Sequence, residues 1–248
     1  MGGTGSAVAA MARPGAAAAA QDPTLRLRVL PSLGSAGAIR ALADGMIDLA
    51  VIGRPLRPDE RALGVVEREV ARTPFLFAVG LSVDARTLTT EDLVAIYRGT
   101  RVLWPDGTRI RPVLRPASDV DTDLLRAISP EVAAAVDAAA ARPGMLVAVT
   151  NTECNEFLAR SPGSIGPTTL LQIRAEPHPL RPLPWNGVEP TLEHLDSGRY
   201  PLAKPLLLVF RTPPSERVRR FLAFLASPRG RSLMRELGAL PVDFAPAQ

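Results

Sequence analysis

The stretch of sequence that most constrains the fold covers residues 25–57, LRLRVLPSLGSAGAIRALADGMIDLAVIGRPLR. In Leu25–Val29, leucine or valine alternates with arginine, and this period of two predicts a strand with one buried face. Apolar residues then follow at helical spacing, at Ile39, Leu42 and Met46. The run Leu49–Ile52 is short and wholly apolar, which is typical of a strand buried on both faces. The stretch therefore predicts a strand, a loop, a helix and a second strand.

The loop in this stretch has the composition of an anion-binding site. It combines hydroxyl groups with glycines, at Ser32, Gly34, Ser35 and Gly37. Hydroxyls donate hydrogen bonds, and glycines let backbone N–H groups approach a ligand closely. Because the loop opens a helix, unpaired amides and the positive end of the helix dipole point to the same place. An ordinary helix cap has the same composition, so the motif gains weight only from similar loops elsewhere in the chain.

The first residues of the chain form a similar loop. Gly2–Ser6 precedes an alanine-rich segment that we expect to be a helix in spite of Pro14. On this interpretation Met1 falls inside the first strand, and the chain as given has lost its true start together with any signal peptide. The alternative is that the small residues before Gln21 mark a signal-peptide cleavage site, but this segment lacks a basic start.

A third loop adds an arginine. The strand predicted over Ile110–Leu114 ends at Arg115, and the segment Pro116–Thr122 that follows carries hydroxyls at the start of a helix. A planar guanidinium beside helix amides is well suited to bidentate recognition of an oxyanion. Another strand-to-helix junction follows the short buried strand predicted over Leu146–Val149, where Thr150–Thr152 caps the next helix.

Predicted helices and strands alternate along the chain, which indicates an α/β fold with mixed, mostly parallel sheets. In open α/β sheets, ligands bind at the carboxyl ends of strands, so these loops are expected to converge on one anion. At 248 residues the chain has room for one large domain or two lobes. Its net charge of +4 is scattered, with Lys204 the only lysine, and does not indicate a nucleic-acid partner.

The sequence lacks the patterns of a metal site or a catalytic centre. Cys154 is the only cysteine, which excludes an internal disulfide and a multi-cysteine metal site. Neither His178 nor His194 has further ligands at metal spacing, and no nucleophile pairs recognisably with a base. We therefore expect no metal, no cofactor and no catalytic residue. No apolar run reaches the length of a membrane-spanning helix, about 18 residues.

Several segments together resemble the substrate-binding proteins of phosphate ABC importers. They are GGTGSA, LPSLGSAGAIRALADGMIDLAVIGRPL, LTTEDLVAIYRGT, WPDGTRIRPVLR, GSIGPTTL, NGVEPTLEHLDSGRYPLAKPLLLV and FLAFLASPRGRSLMRELGALP. Each motif is weak alone, but their order and spacing are specific, and the resemblance covers nearly the whole chain.

The resemblance implies a two-lobed type II periplasmic-binding-protein fold with the ligand in the cleft between lobes. We expect lobe one to comprise residues 1–79 and 171–248, and lobe two residues 80–170. Proteins of this family work outside the cytoplasmic membrane and deliver their ligand to a permease. The expected protein is thus a periplasmic or extracytoplasmic monomer that binds phosphate or a related oxyanion.

The family's ligand-binding positions transfer to this sequence in groups. The first loop is Thr4, Gly5 and Ser6, and the second is Gly34 and Ser35 with Ser32, Ala36 and Gly37 beside them. The loop from the other lobe contains Arg115, Ser118, Asp119, Asp121 and Thr122. Gly53 and Arg54 stand where phosphate binders of the family carry a buried aspartate that accepts a proton from monohydrogen phosphate and so excludes sulfate.

That departure leaves two questions open. Asp119 or Asp121 could replace the missing proton acceptor, or one of them could simply cap the helix. Phosphate is the leading ligand, and another oxyanion or a small carboxylate is the alternative. A ligand-sensing module that docks a membrane receptor is the alternative function, while an enzyme such as a phosphatase has the least support.

Overall fold

The computed structural model describes residues 1–3 and 5–244. The chain forms two compact units: unit one is Met1–Thr73 with Lys204–Gln248, and unit two is Pro74–Ala203. Its helices and strands, in chain order, are β1 (Gly2–Gly3), α1 (Gly5–Gln21), α2 (Gly34–Ala43), β2 (Ala50–Ile52), α3 (Pro58–Arg61), β3 (Val65–Gly80), α4 (Thr90–Arg98), β4 (Arg111–Leu114), α5 (Val120–Arg126), α6 (Pro130–Ala140), β5 (Leu146–Val147), α7 (Asn151–Arg160), β6 (Ser164–Thr169), α8 (Leu170–Ala175), β7 (Leu180–Pro182), α9 (Leu192–Asp196), β8 (Ala203–Arg211), α10 (Glu216–Ala226), α11 (Pro228–Glu236) and β9 (Leu240–Pro241).

The central strand of unit one is β2, which is buried by the strands and the helix that surround it. β2 pairs in parallel with β1 and antiparallel with β8, and β9 pairs antiparallel with the first half of β3. Ile39 and Leu42 of α2 pack against the sheet residues Ile52 and Val209. The three residues of β2 are 0% exposed, so the predicted strand with two buried faces is confirmed.

Unit two is organised around β6. This strand pairs antiparallel with the second half of β3 and in parallel with β4, while β5 pairs in parallel with β4 and β7 antiparallel with β3. Its core includes Phe77 stacked on Trp185, with ring centroids 5.4 Å apart. The mixed α/β architecture expected from the alternating elements is thus confirmed. In the part of the chain that the structure describes, no helix is both long and apolar enough to cross a membrane.

Three local predictions were wrong. Leu25–Val29 is not a strand, although its leucines and valine are more buried than its arginines. The chain next to this stretch is Met1, whose amino group donates to Arg28 O and whose carbonyl accepts from Leu30 N. Hydrogen bonds to a single residue do not make the ladder that defines a strand. Met46 lies beyond the end of α2 and is 79% exposed. Val147 of β5 is 45% exposed, because β5 pairs only at its β4 side among the described strands.

The second expected lobe boundary was also wrong. The first, near residue 79, falls within β3, where the structure also divides the chain, but residues 171–203 belong to unit two. Strand β7 pairs with the end of β3, and Tyr200 donates a hydrogen bond to Phe75 O at 2.8 Å. These long-range contacts hold the segment in unit two, and they are not visible as a local sequence pattern.

The turn between α10 and α11 predicts a cost for one small substitution. Ser227 alone separates the two helices, so a Cβ at Gly230 would lie 2.1 Å from Phe224 O and 2.8 Å from Leu225 Cα. Alanine normally stabilises a helix relative to glycine by up to about 1 kcal/mol. Here we expect Gly230→Ala to lower the free energy of unfolding by roughly 1–3 kcal/mol, the usual cost of overpacking.

Urea denaturation of Gly230→Ala measures this cost, with Arg229→Ala as the control. Arg229 is the preceding, exposed residue of the same helical turn. We expect the control to stay within about 0.5 kcal/mol of the wild type, as surface substitutions usually do. A Gly230→Ala protein as stable as the control would contradict the prediction.

Candidate functional site

Helix α2 of unit one begins without a side-chain cap. Leu33 occupies its N-cap position, and no side chain accepts a hydrogen bond there. By contrast, each helix from α4 to α11 begins at a Ser, Thr or Asp whose side chain accepts a hydrogen bond from an amide of the first turn. The start of α2 therefore keeps donors and a partial positive charge that an anion can use.

Two residues of the first turn of α2 add to this property. Gly34 has φ +67°, which favours glycine, and nothing lies within 4 Å of a Cβ placed on it. Ser35 is only 7% exposed, and its Oγ has no hydrogen-bond partner among the residues that the structure describes. Leaving a buried hydroxyl without a partner costs about 1–3 kcal/mol. An oxyanion at the helix start would accept from this hydroxyl and from the nearby amides.

The structure brings the first two predicted loops together within unit one. Leu33 N donates to Gly3 O at 3.1 Å, and Ser32 Oγ donates to the same oxygen at 3.4 Å. Gly3 must be glycine, because a Cβ there would lie 2.1 Å from Val51 O. Helix α1 starts at Gly5, directly after this contact. Thr4 lies outside the described residues, and so does the side chain of Ser6. Ala36 and Gly37 are exposed in the first turn of α2.

Arg54, which follows β2 in unit one, forms a bidentate ion pair. Gly53 is buried at the end of β2, and Arg54 donates from Nη1 and Nη2 to the carboxylate of Glu60 at 2.7 and 2.6 Å. Glu60 also accepts from Arg57 N at 2.8 Å. The Arg54 guanidinium is the main reason that the pKa of Glu60 lies below its ordinary value.

Glu60 is not among the residues predicted from the sequence. A signal was available, since Pro58 and Glu60 stand at the first and third positions of α3, as they do in a proline-initiated helix with a capping glutamate. Nothing in that pattern identifies Arg54 as the partner of the glutamate.

Unit two brings together the predicted arginine and its neighbours. The Arg115 side chain is 2% exposed, with Nη1 donating to Ala148 O at 2.6 Å and Nη2 to Asp119 Oδ2 at 3.0 Å. Its Nε has no hydrogen-bond partner, and Asp121 Oδ2 lies 3.7 Å away. Since a guanidinium has five N–H donors, these two hydrogen bonds leave Arg115 with donor capacity for an anion.

The structure shows which of the two aspartates caps the helix. Asp119 caps α5, because its Oδ1 accepts from Asp121 N at 2.9 Å. Asp121 is 0% exposed and accepts from Asn151 Nδ2 at 2.6 Å. Thr122 Oγ1 donates to Pro116 O at 2.9 Å, so its hydroxyl stabilises the loop, and Ser118 is exposed.

Within residues 1–3 and 5–244, no three His, Cys, Asp or Glu side chains are grouped as a metal site requires. Burial raises the pKa of the Cys154 thiol to about 12, so this cysteine is not a thiolate at neutral pH. What the start of α2 and Arg115 offer is N–H and O–H donors for hydrogen bonds to an anion.

Comparison with known proteins identifies the class. A family model described as the PBP superfamily domain matches residues 1–229, and the chain belongs to this superfamily. A search of curated proteins gives no match.

Solved structures share the fold at low sequence identity. A protein from Clostridium perfringens, solved with bound phosphate and described as a phosphate ABC transporter substrate-binding protein, has 18% identity over 98% of each chain and a TM-score of 0.82. An ABC-type phosphate transport receptor from Vibrio cholerae has 20% identity over 96% of this chain and 98% of its own, with a TM-score of 0.68. Reduced OxyR from N. meningitidis has 13% identity over 98% of this chain and 97% of its own, with a TM-score of 0.62. The type II periplasmic-binding-protein fold is thereby shown.

The Arg54–Glu60 pair predicts a pH-dependent contribution to stability. Because the folded-state pKa of Glu60 is lowered, its stabilisation is complete above the ordinary glutamate pKa of about 4.3 and is lost as pH falls through the folded-state value. We expect Glu60→Gln to lower the free energy of unfolding by about 1–3 kcal/mol at pH 7, and by progressively less toward pH 3.

Denaturation curves for wild type and Glu60→Gln between pH 7 and pH 3 test this dependence. Glu69→Gln is the matched control, since Glu69 pairs with Arg72 at the surface, with side chains 30% and 54% exposed. Such a pair contributes at most about 1 kcal/mol. A Glu60→Gln deficit that stays constant with pH would contradict the assignment of the effect to this ion pair.

Proposed function

We propose that this protein is an extracytoplasmic substrate-binding protein that captures inorganic phosphate, or a related oxyanion, and delivers it to the permease of an ABC importer. It acts as a monomer, without a cofactor, and does not turn its ligand over. The observation that carries the proposal is the uncapped start of α2 with the buried, unpartnered Ser35 Oγ. The names of two structural neighbours, a phosphate transporter substrate-binding protein and a phosphate transport receptor, support the choice of ligand.

Apart from the Arg54 guanidinium, the unit-one binding groups are amides and hydroxyls at strand ends and helix starts. The proposed ligand-binding residues of this unit are Thr4, Gly5, Ser6, Ser32, Gly34, Ser35, Ala36, Gly37, Gly53 and Arg54. Neutral donors of this kind hold an anion by directed hydrogen bonds and the helix dipole, so its charge does not need a full countercharge.

The unit-two binding group with a formal positive charge is Arg115, with Ser118, Asp119, Asp121 and Thr122 around it. Arg115 is already oriented by Ala148 O and Asp119, so binding costs little further ordering of this long side chain. The carboxylates beside it oppose a fully ionised anion but accept a hydrogen bond from a protonated one.

Selectivity for phosphate follows from the ability of a carboxylate to accept a hydrogen bond from a protonated anion. The Asp119 side chain is 25% exposed, whereas that of Asp121 is 0% exposed, so Asp119 is the carboxylate that we assign as acceptor of the ligand proton. Monohydrogen phosphate can donate this hydrogen bond. Sulfate at neutral pH carries no proton and would meet the carboxylate as a like charge.

Calorimetric titration at pH 7 with phosphate, arsenate, sulfate and molybdate tests the function. We expect saturable binding of phosphate and arsenate, and a free energy of unfolding raised by about 2.7 kcal/mol at 100 times the Kd. Ser35→Ala should weaken phosphate binding roughly tenfold or more, since a hydrogen bond to a charged group is worth about 1.5–3 kcal/mol.

Ser232→Ala is the control for Ser35→Ala, because Ser232 is an exposed serine of α11 in the same unit. No binding of any oxyanion by the wild type would overturn the proposed function. Wild-type binding with an unaltered Kd in Ser35→Ala would overturn only the role of Ser35.

Asp119→Asn separates the acceptor role of Asp119 from its cap. The amide oxygen of asparagine still caps α5, while the negative charge and the oxygen that accepts from Arg115 Nη2 are lost. Loss of the Arg115 contact affects phosphate and sulfate alike, so the ratio of their affinities reports the acceptor role. We expect the ratio of phosphate to sulfate affinity to fall by roughly tenfold, the value of one charged hydrogen bond. Asp123→Asn, at an exposed position in the first turn of α5, is the control. An unchanged ratio would refute the assignment of Asp119.

A further inference from the structure

The junction between β5 and α7 lies directly against the Arg115 cluster of unit two. Ala148 N donates to Leu114 O at 2.9 Å, which extends the pairing of β5 with β4 up to the residue before Arg115. At the other end of the junction, Thr150 caps α7 through Glu153 N at 3.1 Å. Glu153 in turn accepts from Val149 N at 2.6 Å. The junction is thus fixed by a backbone hydrogen bond at one end and by two backbone-to-side-chain hydrogen bonds at the other.

From this frame the junction contacts two members of the cluster. Ala148 O accepts from Arg115 Nη1, and Asn151 Nδ2 donates to Asp121 Oδ2. Both contacts are buried, since Ala148 is 0% exposed and Asn151 is 5% exposed. Contacts sealed from water keep their geometry, because breaking either one leaves a buried polar group without a partner.

The oxygen that Asn151 contacts is the one that faces Arg115. Asp121 Oδ2 lies 3.7 Å from Arg115 Nε, beyond hydrogen-bond distance, and 2.6 Å from Asn151 Nδ2. Arg115 Nε is buried and has no hydrogen-bond partner. The same carboxylate oxygen therefore faces two N–H donors, and of these two it is hydrogen-bonded to the amide of Asn151.

We propose that Asn151 is a positioning residue that keeps Asp121 from engaging Arg115 Nε, so that this N–H stays available to the oxyanion. Asn151 does not touch the ligand. It acts through Asp121, while Ala148 O fixes the other side of the guanidinium. This inference rests on the proposed function for its ligand, but the geometry it describes lies wholly within unit two.

The test compares two asparagines of the same helix in the full-length chain. In Asn151→Leu, an apolar side chain of similar size replaces the amide, and Asp121 Oδ2 is expected to close on Arg115 Nε. Phosphate affinity should then fall about tenfold, the worth of one charged hydrogen bond. Asn155→Leu is the matched control, because Asn155 is also buried, lies one turn further along α7, and its amide has no hydrogen-bond partner. Its Kd should stay within about twofold of the wild type.

A reciprocal exchange provides the rescue. Asn151→Asp combined with Asp121→Asn restores an amide-to-carboxylate hydrogen bond between the two positions with donor and acceptor reversed. We expect the exchange to recover most of the affinity that Asn151→Asp alone loses. A loss of affinity that follows the unfolding midpoint equally in every variant, Asn155→Leu included, would overturn the positioning role.

The Arg115 Nε–Hε resonance gives a readout that needs no ligand. Arg115→Lys identifies the resonance by its disappearance. We expect a downfield shift in Asn151→Leu, as a new hydrogen bond to Asp121 forms, and no shift in Asn155→Leu. An unchanged resonance in Asn151→Leu would overturn the inference even if phosphate binds, and the expected shift would support it even if the wild type fails to bind phosphate.

Discussion

The need of the first amides in a helix for hydrogen-bond acceptors governs this molecule. From α4 to α11 the chain supplies the acceptor itself, through a Ser, Thr or Asp at each N-cap. At α2 it places Leu33 there and leaves Ser35 Oγ without a partner. Helix α3 also starts without a side-chain hydrogen bond at its N-cap, Arg57, so a missing cap alone does not mark a site. The start of α2 combines the missing cap with the buried hydroxyl of Ser35, and an external anion would satisfy both sets of donors.

Unit two meets a different requirement, that of a buried charge. Arg115 is almost fully enclosed, so it needs partners in the protein before any ligand arrives. Ala148 O and Asp119 meet that need, and the neighbouring carboxylate of Asp121 is occupied by Asn151. The arrangement keeps the guanidinium oriented, while its Nε makes no hydrogen bond with the described residues. A site prepared in this way loses little conformational entropy when it binds.

Local patterns in the sequence predicted the features that depend on neighbouring residues. The N-cap at Thr150 and the buried strand β2 both follow from spacing and residue type, and the structure confirms them. Leu25–Val29 has the alternation of a strand, but a strand also needs a neighbouring segment whose backbone groups form a ladder with it. Among the described residues, Met1 makes two backbone hydrogen bonds beside this stretch, which are too few for a ladder. Alternation records burial, and pairing depends on residues far away in the sequence.

The candidate site shows the same limit at the level of single side chains. The sequence indicated that either Asp119 or Asp121 could cap α5. The folded chain brings Asn151, 30 positions away in the sequence, into hydrogen-bond contact with the carboxylate of Asp121. The partner of Arg54 was equally hidden, because the glutamate that binds it serves first as a helix residue. The fold is shared with proteins of different names, so it cannot decide the ligand. The choice of ligand depends instead on the carboxylates around Arg54 and Arg115, because each carboxylate that an arginine binds changes which anion the remaining N–H donors can hold.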